Sequence, residues 1–96
     1  MDLTPDTLIA FARTLERHAL ETLHRHQPFS LVVDEDGRAI RFQPATQKRP
    51  RRVSRKGMQA VCDIYIATKS DNPKDYSNET WDASYLLAVI KLMEAG

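Results

Sequence analysis

The chain carries a single cysteine, Cys62, so no intramolecular disulfide can staple it and no paired-cysteine zinc site exists. It has only three glycines, Gly37, Gly57 and Gly96, too scattered to form a phosphate-cradling loop. No uninterrupted apolar run approaches the roughly 20 residues that span a bilayer. The first residues include Asp2 and Asp6 rather than a basic stretch ahead of an apolar one, which argues against a secretory signal. The expected setting is therefore cytoplasmic, away from membranes, with Cys62 a reduced thiol. Neither an internal repeat nor a sustained heptad is present.

Metal and cofactor chemistry also lack a motif. His18, His24 and His26 are not spaced as a His-x-x-x-His pair, and solvated histidines explain them. Asp34, Glu35 and Asp36 lack the length and ligand alternation of a calcium loop. Cys62 and Ser54 could be named as nucleophiles, but no local base accompanies either. Apolar neighbours Val61 and Ile64 to Ile66 make Cys62 a buried thiol. No catalytic residue, metal ligand or cofactor is expected.

What is present is 96 residues, 42% hydrophobic and 28% charged, enough for one domain spanning 1–96. The formal net charge of +1 conceals an asymmetry. Lys48, Arg49, Arg51, Arg52, Arg55 and Lys56 put six positive charges in nine residues, while the remainder holds eight basic and thirteen acidic side chains. A basic segment on an acidic body suits phosphates or an acidic protein surface.

Thr4, Pro5 and Asp6 form a helix start, and Leu8, Phe11, Ala12, Leu15, Ala19 and Leu23 continue at helical spacing, which predicts a helix over 5–26. Arg17, Glu21 and Arg25 would then form i,i+4 pairs. Pro28 stops it. A β-hairpin follows over 29–34 and 38–43. An Asp36-Gly37 type I′ turn pairs Glu35 with Arg38, Val33 with Ile40 and Leu31 with Phe42, leaving Leu31, Val33, Ile40 and Phe42 on one face. Pro44, Pro50, Gly57 and the intervening charge predict a basic connector over 44–57.

Met58, Val61, Cys62, Tyr65 and Ile66 predict a second helix over 55–68 with Ser54 as cap, against a competing strand across 62–68. Asn78, Glu79 and Asp82 open a final helix over 79–94. Its broad apolar face is Trp81, Tyr85, Ala88, Val89 and Leu92. Leu86, Leu87, Ile90 and Met93 extend apolar surface around the helix, so it is either central in the fold or buried against another chain, including a second copy. Tyr76, in a polar loop, is the aromatic expected at the surface. The fold class expected is α+β in the order α-β-β-α-α, a small antiparallel hairpin covered by helices.

The function expected is a small non-enzymatic interaction or regulatory protein that binds another macromolecule, a protein or a second copy of itself. Lys48, Arg49, Arg51, Arg52, Arg55 and Lys56 are the partner- or phosphate-binding candidates. Leu86, Leu87, Ile90 and Met93 are the protein-interface candidates. A nucleic-acid-binding accessory protein using residues 48–56 is the first alternative, and a small enzyme of unspecified reaction the second. Composition names neither the pathway nor the partner.

Overall fold

The computed structural model of the chain describes residues 2–46, 48–76 and 82–95. Helix α1 (Pro5–Thr14) starts where its capping residues require. Thr4 Oγ1 accepts the Thr7 N–H at 3.2 Å, and Thr7 Oγ1 accepts the Thr4 N–H at 3.0 Å, so two donors at the helix end are satisfied reciprocally. Leu8, Ile9 and Ala12 are buried.

The helix stops well short of residue 26. Arg17 takes a φ of +66°, outside any α-helix, and the chain reverses. Leu20–Glu21 form a short strand, β1, antiparallel to β2 (Pro28–Val33), with Leu20 opposite Phe29 and Glu21 opposite Pro28. Leu15, Leu20 and Leu23 still pack against the core, but from a turn, a strand and a loop. Helical spacing over-predicted the element because the exposed edge of β2 offered those residues hydrogen bonds that further helix could not. The expected Arg17–Glu21 and Glu21–Arg25 helical pairs do not form; Glu21 Oε2 lies 3.4 Å from His26 Nδ1.

Strands β2 and β3 (Ala39–Pro44) pair in the expected register, Val33 opposite Ile40 and Leu31 opposite Phe42. The turn differs. Type I′ needs positive φ at both central residues, whereas only Gly37 has it, at +68°. Asp34 N–H donates to Ala39 C=O at 2.9 Å and Gly37 N–H to Asp34 C=O at 2.9 Å, closing a four-residue loop over 35–38. Taking one residue from each strand into the loop leaves every other pair opposite its partner, so the register survives the wrong turn type.

The expected connector over 44–57 contains a fourth strand, β4 (Arg51–Ser54), antiparallel to β3. Its single apolar residue, Val53, lies opposite Ile40 and is buried. The second edge of β3 needed backbone partners, and that requirement outweighed the charge of the segment. The sheet order is β1-β2-β3-β4, so the α-β-β-α-α order becomes four strands between the first and second helices.

Helix α2 (Arg55–Thr68) follows directly, with Ser54 as N-cap, its Oγ accepting the Gly57 N–H at 3.4 Å. The competing strand is absent because Met58, Val61, Cys62 and Tyr65 fit a helix that buries one stripe. A 3-10 turn at Pro73–Tyr76 precedes α3 (Ala83–Ala95). Asn78, Glu79 and Trp81 lie outside the described residues. Among the described residues no helix is long and apolar enough to cross a membrane.

Helix α3 is central. Ala83, Tyr85, Leu86, Leu87, Ala88, Val89 and Ile90 are all buried, which accounts for apolar residues around most of its girth. Tyr85 packs against Phe29 and Phe42 with ring centroids 5.1 and 5.3 Å away. Leu92, read as core from its spacing, is 41% exposed. Tyr76, read as exposed, is buried and donates its hydroxyl to Ser70 C=O at 2.6 Å. The helices and the inward residues Phe29, Leu31, Val33, Ile40, Phe42 and Val53 form one hydrophobic cluster, so the core lies on one side of the sheet.

Candidate functional site

Strand alternation sends the intervening residues to the opposite face. These are Ser30 and Val32 on β2, Arg41 and Gln43 on β3, and Arg52 and Ser54 on β4. Val32, Arg41, Arg52 and Ser54 are exposed. Val32 stands opposite Arg41, and Arg41 opposite Arg52, so the three share one row across the sheet.

Two arginines on adjacent strands repel each other. Asp34, at the end of β2, resolves the conflict. Its Oδ1 accepts Arg41 Nε–H at 2.7 Å and its Oδ2 accepts Arg52 Nε–H at 3.0 Å. The carboxylate is only 10% exposed, while the guanidiniums are 57% and 54% exposed. Burial pushes the Asp34 carboxyl up, but hydrogen bonds and charge from Arg52 and Arg41 together outweigh it, and its pKa lies below the ordinary value. The triad retains one net positive charge, and each guanidinium keeps Nη–H donors not spent on Asp34 Nε bonds.

The six basic candidates do not act as one block. Arg51 Nε lies 3.0 Å from Asp82 Oδ1, beside the start of α3, and Arg55 Nη2 pairs with Asp6 Oδ1 in the first turn of α1. These two arginines tie the β4–α2 junction to the other helices. Burial raises the Asp82 carboxyl pKa, and Arg51 only partly opposes it. Arg52 belongs to the outer face. Lys48, Arg49 and Lys56 are exposed and make no ion pair among the described residues. Asp34 and Arg41 were missed as site residues. The hairpin register carried the signal, because it puts Arg41 opposite Val32 on the solvent face, at the end of the strand that continues to Asp34.

The interface candidates Leu86, Leu87 and Ile90 are fully buried within this one chain, and Met93 is half-buried. Only Met93 of the four has surface to offer a partner.

A separate cleft of about 550 Å³ lies between the β1–β2 loop and the start of α3. His24, Arg25, Asp71, Lys74 and Ser84 contribute polar lining. His24 Nε2 is 2.9 Å from the Asp71 backbone oxygen and 3.6 Å from its Oδ1, a long-range contact that spacing could not reveal. His18 and His26 are exposed elsewhere. Cys62 is buried, as expected, and burial, aided by Asp63, pushes its thiol up to about 11. A neutral, inaccessible thiol is a poor nucleophile. Tyr65 donates its hydroxyl to Glu94, joining α2 to α3, with Lys69 Nζ and Lys91 Nζ lying 5.2 and 5.7 Å from its ring centroid. No group of three or more metal-ligating side chains occurs among the described residues. No protein-family model, curated protein or solved structure matches the chain.

Proposed function

We propose that this chain is a non-enzymatic interaction module that binds an acidic surface of a partner protein through the outer face of its sheet. The observation that carries the reading is the Arg41–Asp34–Arg52 triad. A free arginine side chain loses considerable rotamer freedom when it binds, about 2 kcal/mol at most. Here two guanidiniums are already held by one nearly buried carboxylate, so less freedom is lost on association. Guanidiniums match carboxylates geometrically. Exposed Val32 beside them supplies apolar area. The face has no outward aromatic among its described residues, because Phe29 and Phe42 point to the core, so the base-stacking platform of many single-strand binders is missing.

The test uses fluorescent poly-glutamate at low ionic strength. Asp34→Asn makes the protein more positive by one charge while freeing both arginines. Diffuse attraction predicts tighter binding by this variant; an oriented pair predicts weaker binding. Weaker binding by Asp34→Asn, matched by Arg41→Gln and Arg52→Gln, supports the proposal. Tighter binding, or indifference to Arg41 and Arg52, overturns it. Binding of single-stranded RNA with none to poly-glutamate overturns it in favour of nucleic acid.

A further inference from the structure

The two edges of the sheet are finished differently. In antiparallel pairs, residues alternate between exchanging hydrogen bonds with the neighbouring strand and pointing their N–H and C=O the other way. Arg55 N–H donates to Arg38 C=O at 3.0 Å, directly across the β3–β4 ladder. Asp34 N–H donates to Ala39 C=O, and Ala45 N–H to Pro28 C=O, across the β2–β3 ladder. Odd-numbered residues of β3 therefore bond to β2 and even-numbered ones to β4. It follows that Arg51 and Val53 bond to β3, while Arg52 N–H and C=O and Ser54 N–H face outward from the free edge of β4.

The opposite edge is closed from within the chain. Beyond the two residues of β1, Leu31 C=O accepts Arg17 N–H at 3.1 Å, and Val33 N–H donates to Glu16 Oε2 at 3.3 Å. Arg17 adopts its positive φ in making that closure. Arg52 and Ser54 are exposed, and no backbone hydrogen bond outside the β3 ladder engages the Arg52 main chain among the described residues.

We infer that the free edge of β4 receives an extended, acidic segment of a partner protein as a fifth strand. This rests on the binding reading above and specifies how the partner lies. Main-chain bonds to Arg52 and Ser54 hold the segment, and alternate side chains fall on the outer face beside Arg52, with Arg41 one strand further in along the same row. Acidic residues at those alternate positions meet the triad's excess positive charge. A second copy of β4 is a poor occupant. Two-fold antiparallel pairing centred on Arg52 places Arg52 against Arg52, and like charges directly opposite are destabilising.

The experiment uses a fluorescein-labelled decapeptide alternating Glu and Val, in three forms. One is unmodified, one is N-methylated at every Glu and one at every Val. In a strand only one of the two amide sets faces the β4 edge. One methylated isomer should therefore lose affinity at least about tenfold while the other binds like the parent. On the protein, Arg52→Ala and Arg52→Pro both remove the charge, but only proline removes the outward N–H. Arg52→Pro should bind at least about threefold more weakly than Arg52→Ala, with folding checked by circular dichroism. The peptide comparison stands alone if Arg52→Pro does not fold.

Equal, salt-sensitive binding of all three peptides overturns the added strand and leaves the outer-face reading intact. No binding of any peptide at low salt overturns both. Self-association abolished by Arg52→Pro but not by Arg52→Ala would give the edge to a second copy and overturn the inference.

Discussion

Truncating Leu86 to alanine tests whether α3 lies at the centre of the fold or faces a second chain. Leu86 is completely buried within one chain. The removed carbons forfeit about 0.8 kcal/mol per methylene in transfer free energy, about 2.4 kcal/mol in all. A partly collapsed cavity raises the expected loss to about 2.7–5 kcal/mol. A chain of this length is stabilised by about 5–14 kcal/mol. The substitution should thus remove a large share of the total. A loss of 3 kcal/mol corresponds to a fall in Tm of about 12–24 °C for a domain of this size. Leu92→Ala on the same helix is the control, since Leu92 is 41% exposed and should cost under about 1 kcal/mol. Urea unfolding across a hundredfold range of protein concentration is the assay. A Leu86→Ala loss below about 1 kcal/mol would refute the central helix. A loss that vanishes on dilution would show instead that a second chain covers Leu86.

Three smaller perturbations read other parts of the fold. Gly37→Ala should cost about 1–2 kcal/mol in thermal unfolding, because φ is +68° there and an added Cβ would meet the Arg13 Nη2 at 3.3 Å; an unchanged Tm would contradict the turn geometry. Asp34 has a native pKa below its unfolded value near 3.9, so its ion pairs contribute stability that is present above about pH 4 and lost as pH falls through the native pKa. Asp34→Asn should flatten that acid limb in melts between about pH 2 and pH 5, and an unchanged limb would show that Asp34 is not the group responsible. The Cys62 thiol, pushed up to about 11, should resist iodoacetamide at about pH 8 until the protein unfolds, and native labelling at the rate of a free thiol would place it at the surface.

Elements whose evidence was local could be read from the residues alone. The α1 cap was legible because Thr4, Pro5 and Asp6 satisfy or prearrange a helix end without distant help. The β2–β3 register was legible because a one-residue slip would split Leu31, Val33, Ile40 and Phe42 between the two faces, and the short turn at Asp36-Gly37 limits larger slips. Helix α2 was legible from its apolar spacing and a serine cap, although Ile66, read as part of that stripe, is 54% exposed. Misreadings arose where a distant strand competed. Leu15, Leu20 and Leu23 recur at helical spacing, yet β2 captured the chain after Arg17. Arg51–Ser54 read as solvated charge, yet Ile40 and Phe42 required a neighbour.

The candidate face shows the same division. Six basic residues were visible as a cluster, but Arg51 and Arg55 are consumed by Asp82 and Asp6, while Arg52 is joined by Arg41 and Asp34 from other strands. Leu86, Leu87 and Ile90 looked like surplus apolar surface because spacing shows how apolar residues are arranged around a helix, not how many neighbours surround it.

Residue order by itself determined the Thr4 and Ser54 caps, the inward and outward faces of the hairpin, and the uneven charge. These depend on steric preference and periodicity over a few residues. Tertiary structure alone decided where α1 ended, that β4 would form, and which arginines would be neutralised. Those outcomes depend on backbone groups and charges far apart along the chain competing for the same partners.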